Sequence, residues 1–142
     1  MKGSFANPVN VELRLPGETA SACPLFVARV IRKVKNRPSP DWLQKRLLAV
    51  GLRPISALVD ITNYFAIDRA RPLHVFDADT LAGHLHVRLS KKGEQLAALN
   101  GKSYELDDAM TVIADDDGVL SLGGVVGGES SGCTETTRTV VL

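Results

Sequence analysis

The residues able to do chemistry fall in a few short stretches. His74 stands in Arg71-Pro72-Leu73-His74-Val75-Phe76-Asp77, a stiff loop leading into a short helix that Asp77 is placed to cap. With an unperturbed pKa of about 6.5, a histidine there can serve as acid, base or hydrogen-bond donor near neutral pH, or it can be purely structural. In Gly123-Gly124-Val125-Val126-Gly127-Gly128-Glu129-Ser130, Gly123 and Gly128 have the separation of a phosphate loop. Glu129 stands where the phosphate-binding lysine belongs and would repel the anion, so ATP binding is not expected there. The segment is then either a bend between strands or a Cβ-free wall where a ligand meets backbone.

His84 and His86 share one strand face, but no third ligand has a spacing that suits a metal; solvent-facing residues are expected and no metal site is assigned. Cys23 and Cys133 form no CxxC pair and have no basic or helix-terminal setting, so both read as small buried residues. Asp115-Asp116-Asp117 lacks the spacing and closing glutamate of a calcium loop and reads as a solvated turn. Arg53, just past Gly51, could contact an anion or oppose the negative end of the preceding helix; both remain open. Thr62 and Asn63 lie inside an apolar stretch and need partners if buried.

These residues must be held by elements whose periodicity is visible. Val9, Val11, Leu13 and Leu15 alternate with polar residues, as in a half-buried strand. Residues 1–8 read as a loose lead-in, and residues 25–34 as a second β-rich run. Ser39-Pro40-Asp41 starts a helix, with Ser39 as cap, Leu43, Leu47 and Val50 on one face, Trp42 beside them and Gly51 as the stop. A second helix is predicted over about 57–66, although Val59, Ile61 and Thr62 are β-branched. The second half reads as strands: 84–89, then 95–99 and 102–106 around Asn100-Gly101 as a type I′ hairpin, then 111–114 and 119–122 around the aspartate turn, and finally 139–142. One long and one or two short helices against mostly antiparallel sheets predict an α+β fold.

The 142 residues suit one domain with a real core; 44% are hydrophobic and 23% charged, an ordinary globular mix. Lys plus Arg number 17 against 16 Asp plus Glu, so no overall field draws the chain to nucleic acid or anionic lipid, and any such contact must be local. No apolar stretch approaches the roughly 18 residues of a membrane span, the N-terminus lacks a signal-peptide core, and a cytoplasmic protein is expected.

Several segments in this order carry a resemblance: Pro38-Ser39-Pro40-Asp41-Trp42-Leu43-Gln44-Lys45-Arg46-Leu47, Gly51-Leu52-Arg53-Pro54-Ile55, Val59-Asp60-Ile61-Thr62-Asn63-Tyr64, the His74 loop, Val112-Ile113-Ala114-Asp115, and Gly124-Val125-Val126-Gly127-Gly128-Glu129-Ser130-Ser131-Gly132. Over about residues 22–142 the chain resembles the editing domain in the β chain of bacterial phenylalanine–tRNA ligases, with residues 1–21 as a lead-in holding the first strand. The resemblance implies a β-sandwich-like arrangement and hydrolysis of mischarged tyrosyl-tRNA(Phe), because a phenylalanine pocket excludes tyrosine by binding alone only about 10²-fold. It implies His74 orienting the ester, the terminal ribose or a water. Gly127 and Gly128 would form a close backbone wall and supply polar groups to the ester. Thr62 and Asn63 would bond the amino-acid end, and Arg53 could meet the terminal nucleotide. It further implies an α-chain partner and, in the parent ligase, ATP and magnesium at an aminoacylation site that is not on this chain.

Three departures leave the matched polar groups in place: Ala70-Arg71 for the family's Gly-Gln, Val75 for its Ala, and Val126 for its Met. The family's tyrosine-recognising glutamate would follow Leu142, so the chain reads as a fragment ending inside the domain, a weak or inactive hydrolase in isolation. The rival is a non-catalytic module that uses the same fold to hold tRNA or a protein.

Overall fold

The computed structural model describes Gly3 and residues 5–142; Met1, Lys2 and Ser4 of the expected lead-in lie outside the described residues. The fold is α+β. Among the described residues ten strands run in chain order as β1 (Val11–Arg14), β2 (Val30–Arg32), β3 (Phe76–Asp77), β4 (Leu85–Leu89), β5 (Gln95–Ala97), β6 (Ser103–Glu105), β7 (Thr111–Ala114), β8 (Val119–Leu122), β9 (Val126–Gly127) and β10 (Thr139–Val141). Two α-helices, α1 (Asp41–Ala49) and α2 (Ala57–Arg69), separate β2 from β3, and 3-10 turns occupy Gly17–Ala22 and Ala78–Thr80.

The strands form a five-stranded sheet β1-β4-β7-β8-β9, a three-stranded sheet β2-β10-β3 and a β5-β6 ribbon. Among the described residues only β1 and β4 pair in parallel, with Val11 opposite Leu85. The alternation of side chains along each strand puts the large sheet between the other two. Leu85, Val87 and Ile113 meet Val30, Phe76 and Val141 of the three-stranded sheet in the main core. On the opposite face Val112 packs with Leu96, Ala98 and Leu106 around the ribbon. Two sheets packed face to face give the sandwich-like arrangement that the resemblance implies.

Several local expectations are corrected. The run over 25–34 yields only three residues of strand: Leu25 and Val27 are exposed, and Lys33 takes φ +60°, a left-handed conformation that ends the extended backbone. Ser39 does not cap α1. Its hydroxyl donates to Asp60 Oδ2 at 2.5 Å instead, while Ile55 N donates to Asp60 Oδ1 at 2.8 Å, so the fully buried Asp60 ties the start of α1 to the start of α2. Gly51 does stop the helix, at φ +81°. Leu43 and Leu47 are buried, whereas Val50, in the C-cap position, and Trp42 remain exposed. The Asn100-Gly101 hairpin is not type I′: only Gly101 has positive φ, and Gly101 N donates to Ala98 O while Ala98 N donates to Lys102 O. That pattern is a three-residue loop closed by a glycine bulge.

Candidate active site around His74 and Gly127

Three features fix His74. It lies two residues before β3, whose Phe76 and Asp77 pair with Val141 and Val140 of β10. Its ring packs edge-to-face on Phe76, with centroids 4.6 Å apart at 70°. Asp77 anchors the adjoining turn: it accepts Asp79 N at 3.1 Å as cap of Ala78–Thr80, and it accepts the Thr137 hydroxyl at 2.5 Å. Asp77 N also donates to Ser131 O at 3.0 Å, which draws the glycine-rich segment alongside β3.

The glycine segment meets the ring closely. A Cβ on Gly127 would lie 2.2 Å from His74 Cε1 and 2.7 Å from Nε2. A Cβ on Gly128 would lie 2.6 Å from the Leu120 carbonyl oxygen. Neither glycine has a positive φ, so what both positions demand is space, not backbone freedom. The bend between strands is therefore also a close backbone wall, with β9 paired to β8 through Ser121 opposite Gly127. Gly128 N donates to Leu120 O, Glu129 N to Ala97 O, and the Gly127 carbonyl accepts Leu99 N. Those bonds engage the Gly128 amide and the Gly127 carbonyl within the sheet.

The site is electrostatically quiet. Burial holds the His74 imidazole below its usual pKa, so the ring is neutral at pH 7, with one N–H donor and one bare nitrogen. Its Nε2 is buried without a protein hydrogen-bond partner among the described residues, as is the hydroxyl of Ser121. Opposite residues of an antiparallel pair point to the same face, so Ser121 projects on the side of Gly127 where the His74 ring lies. A buried polar atom without a partner costs about 1–3 kcal/mol, and such atoms are informative where a ligand is expected.

The other predicted site residues lie on or beside the helical pair. Thr62 is buried on α2 and its hydroxyl donates to Val59 O at 2.7 Å, within its own helix. Asn63 is half-buried on α2, and Arg53 is exposed in the loop between the helices. Among the described residues no hydrogen bond, ion pair or ring contact joins these three to His74. Leu99 and Phe76 were not predicted. Leu99 Cδ1 and Cδ2 approach the Cβ positions of Gly127 and Gly132 at 3.2 and 3.3 Å, which makes it an apolar side wall. Its place beside the Asn100-Gly101 turn was the available signal.

The remaining candidates are structural. His86 is buried, not solvent-facing, and its Nε2 contacts Asp116 Oδ1 at 2.7 Å; His84 Nδ1 accepts Asn10 N. Asp115 is buried as well: Oδ1 accepts Asp117 N and Gly118 N, and Oδ2 accepts Ala82 N, so it builds its turn from within. Cys23 and Cys133 are free and half-buried; burial and the neighbouring Asp77 carboxylate push the Cys133 thiol up to about 11, far from a nucleophile's range. No group of three or more His, Cys, Asp or Glu among the described residues could hold a metal ion. No helix among them is long and apolar enough to cross a membrane.

The profile of the B3/4 domain family matches residues 22–142. The chain belongs to that family. This B3/4 domain is 57% identical over 140 residues to the phenylalanine–tRNA ligase beta subunit of Paramagnetospirillum magneticum, covering 99% of this chain and 18% of that protein. It is also 57% identical over 142 residues to the same subunit of Bradyrhizobium diazoefficiens, covering 100% of this chain and 17% of that protein. The chain thus spans less than a fifth of the length of the curated relatives it matches. An N-terminal fragment of the phenylalanyl-tRNA synthetase beta-subunit from Pyrococcus horikoshii has the same fold, with a TM-score of 0.67 at 17% identity, over 99% of this chain and 44% of that one.

Proposed function

We propose that this B3/4 domain is the editing part of a cytoplasmic phenylalanine–tRNA ligase β chain and that it hydrolyses tyrosyl-tRNA(Phe). In the reaction a water oxygen adds to the ester carbonyl carbon. The bond to the ribose oxygen then breaks, that oxygen takes a proton, and tyrosine and tRNA leave. The observation that carries the reading is the neutral His74 ring held over the Gly127 backbone with a buried, unpartnered Nε2. A neutral imidazole there can orient the water or the terminal ribose through one hydrogen bond without adding charge. The glycine wall and Leu99 give the aminoacyl end a snug apolar surface. Thr62, Asn63 and Arg53 are assigned to the amino-acid end and terminal nucleotide, contacts that form only with substrate bound.

Aminoacylation with ATP and magnesium belongs to the rest of the ligase, the α chain included. The rival, a non-catalytic module that holds tRNA or a protein, draws on one observation: the Thr62 hydroxyl and the Gly128 amide already have partners. A stable amide analogue of 3′-tyrosyl-adenosine separates the readings. It should shift the His74 Cε1–H resonance in NMR titration and leave that of His84 in place. An unmoved His74 resonance at saturating analogue would remove the proposed site.

A further inference from the structure

One cleft lies away from His74. It has a volume of about 400 Å3 and is lined by Arg32, Lys33, Val34, Lys35, Arg138 and Thr139, at the end of β2 and the start of β10. Four of its six lining residues are cationic and none is acidic. The chain around it is biased in the same way: residues 28–38 contain Arg29, Arg32, Lys33, Lys35 and Arg37 and no aspartate or glutamate, in a protein whose net charge is only +1.

Of the four cations that line the cleft, the two arginines are held in place by contacts that leave their charge intact. Arg32 stacks over the Phe5 ring at 4.1 Å. Arg138 Nη1 donates to the carbonyls of Glu135 and Thr137, both at 2.9 Å, which orients the guanidinium without cancelling its charge. Lys33 sits at φ +60°, a conformation that a lysine rarely adopts, and the next residue's amide, Val34 N, donates to Arg138 O at 3.0 Å. Among the described residues none of Arg32, Lys33, Lys35 or Arg138 forms an ion pair.

We propose that this cleft is a phosphate-backbone docking surface for the same tRNA whose 3′ end reaches His74. The inference rests on the tRNA reading above, and charge complementarity selects the occupant. Two planar guanidiniums and two lysines at the neighbouring ends of β2 and β10 match a run of phosphates, whose binding scales with the number of cations supplied. The placement agrees. Thr139 is two residues before Val141, and His74 two before its partner Phe76, so cleft and ring are offset by about 13 Å along the strand direction at 3.3 Å per residue. Such an offset suits backbone contact at nucleotides upstream of the reacting end. The bland account is that edge strand β2 carries Lys and Arg only to prevent pairing with other sheets.

The test is the salt dependence of binding of this chain to uncharged tRNA(Phe), for wild type and a Lys33→Gly/Lys35→Gln variant. Glycine suits the Lys33 backbone, so the variant keeps the fold while losing two charges. A Lys92→Gln/Lys102→Gln variant, with the same charge change on the far ribbon, is the control. The cleft variant should weaken binding several-fold and lower the slope of log K against log salt by about 0.7–0.9 for each phosphate it no longer neutralises, with the control close to wild type. Equal slopes for both variants would overturn the proposal and leave edge protection. Tighter cleft-dependent binding of an acidic peptide than of tRNA would overturn it in favour of a protein partner. Hydrolysis of tyrosyl-tRNA is read separately, in the assembled ligase carrying the same substitutions: a changed slope with no hydrolysis by the ligase defeats the editing reading alone, and hydrolysis with an unchanged slope defeats the docking surface alone.

Discussion

The imidazole of His74 occupies the space that a side chain on Gly127 would need: a Cβ there would come within 2.2 Å of Cε1. Residues 53 positions apart are thereby coupled, and the glycine is explained by its neighbour, since its backbone is not left-handed. Gly127→Ala should displace the ring and destabilise the domain by about 1–3 kcal/mol. In His74→Ala/Gly127→Ala most of that penalty should vanish, because the two nearest atoms belong to the ring and the third is the far end of the Leu99 side chain, Cδ1 at 3.2 Å. A double-mutant cycle from denaturant melts should return a coupling of about 0.5–3 kcal/mol; additive penalties would mean that the two residues are independent.

Gly128→Ala makes the contrasting case. Its Cβ would meet the Leu120 carbonyl oxygen at 2.6 Å and Leu96 Cδ1 at 2.8 Å, and the Leu120 backbone cannot swing aside. The same melts should show a larger loss than for Gly127→Ala, with no rescue by His74→Ala.

How much of this was legible in sequence differs by residue. The hairpin around Asp115, the strand over 139–141 and the Gly51 helix stop were readable because each is encoded locally, by turn residues or by alternation. The fate of Ser39 was not: a serine before Pro-Asp is a competent cap, and only the tertiary approach of Asp60 diverts its hydroxyl. His86 was misplaced for a similar reason, since alternation assigns a face but does not say that Asp116, 30 residues on, closes over it. The glycine pair offered a bend or a ligand-facing wall; the structure shows the bend and packs the His74 ring against it, a contact that sequence could not give because the ring comes from a distant loop. Resemblance supplied Arg53, Thr62 and Asn63 as site residues; periodicity could say only that Thr62 and Asn63 needed partners.

Asp60 should be the most sensitive polar residue of the helical pair. Asp60→Ala leaves the buried Ser39 hydroxyl and the Ile55 amide without acceptors, at an expected cost of about 2–4 kcal/mol. Thermal melts should place this variant well below Asp41→Ala, which removes an exposed carboxylate from the first turn of α1.

Stability should also carry a signature of His74. Burial lowers its folded-state pKa below the unfolded value of about 6.5, so the unfolded chain binds the proton more readily. The stabilisation from the neutral ring is complete above that unfolded value. It declines as pH falls through it, by at most about 1.4 kcal/mol per pH unit, and levels off below the lowered folded pKa. Melts of wild type against His74→Phe from pH 8 to pH 5 should therefore show wild type losing ground on the acid side. A constant difference across that range would mean that the ring is not desolvated.

The most direct measurement is the deacylation rate of tyrosyl-tRNA(Phe) by the domain, alone and within the assembled ligase, for wild type and His74→Ala, with phenylalanyl-tRNA(Phe) as the parallel substrate. The expected result is hydrolysis of the tyrosyl ester at least tenfold faster by wild type than by His74→Ala, with the phenylalanyl ester spared. A folded His74→Ala ligase that clears tyrosyl-tRNA(Phe) at the wild-type rate would contradict the assignment of the site.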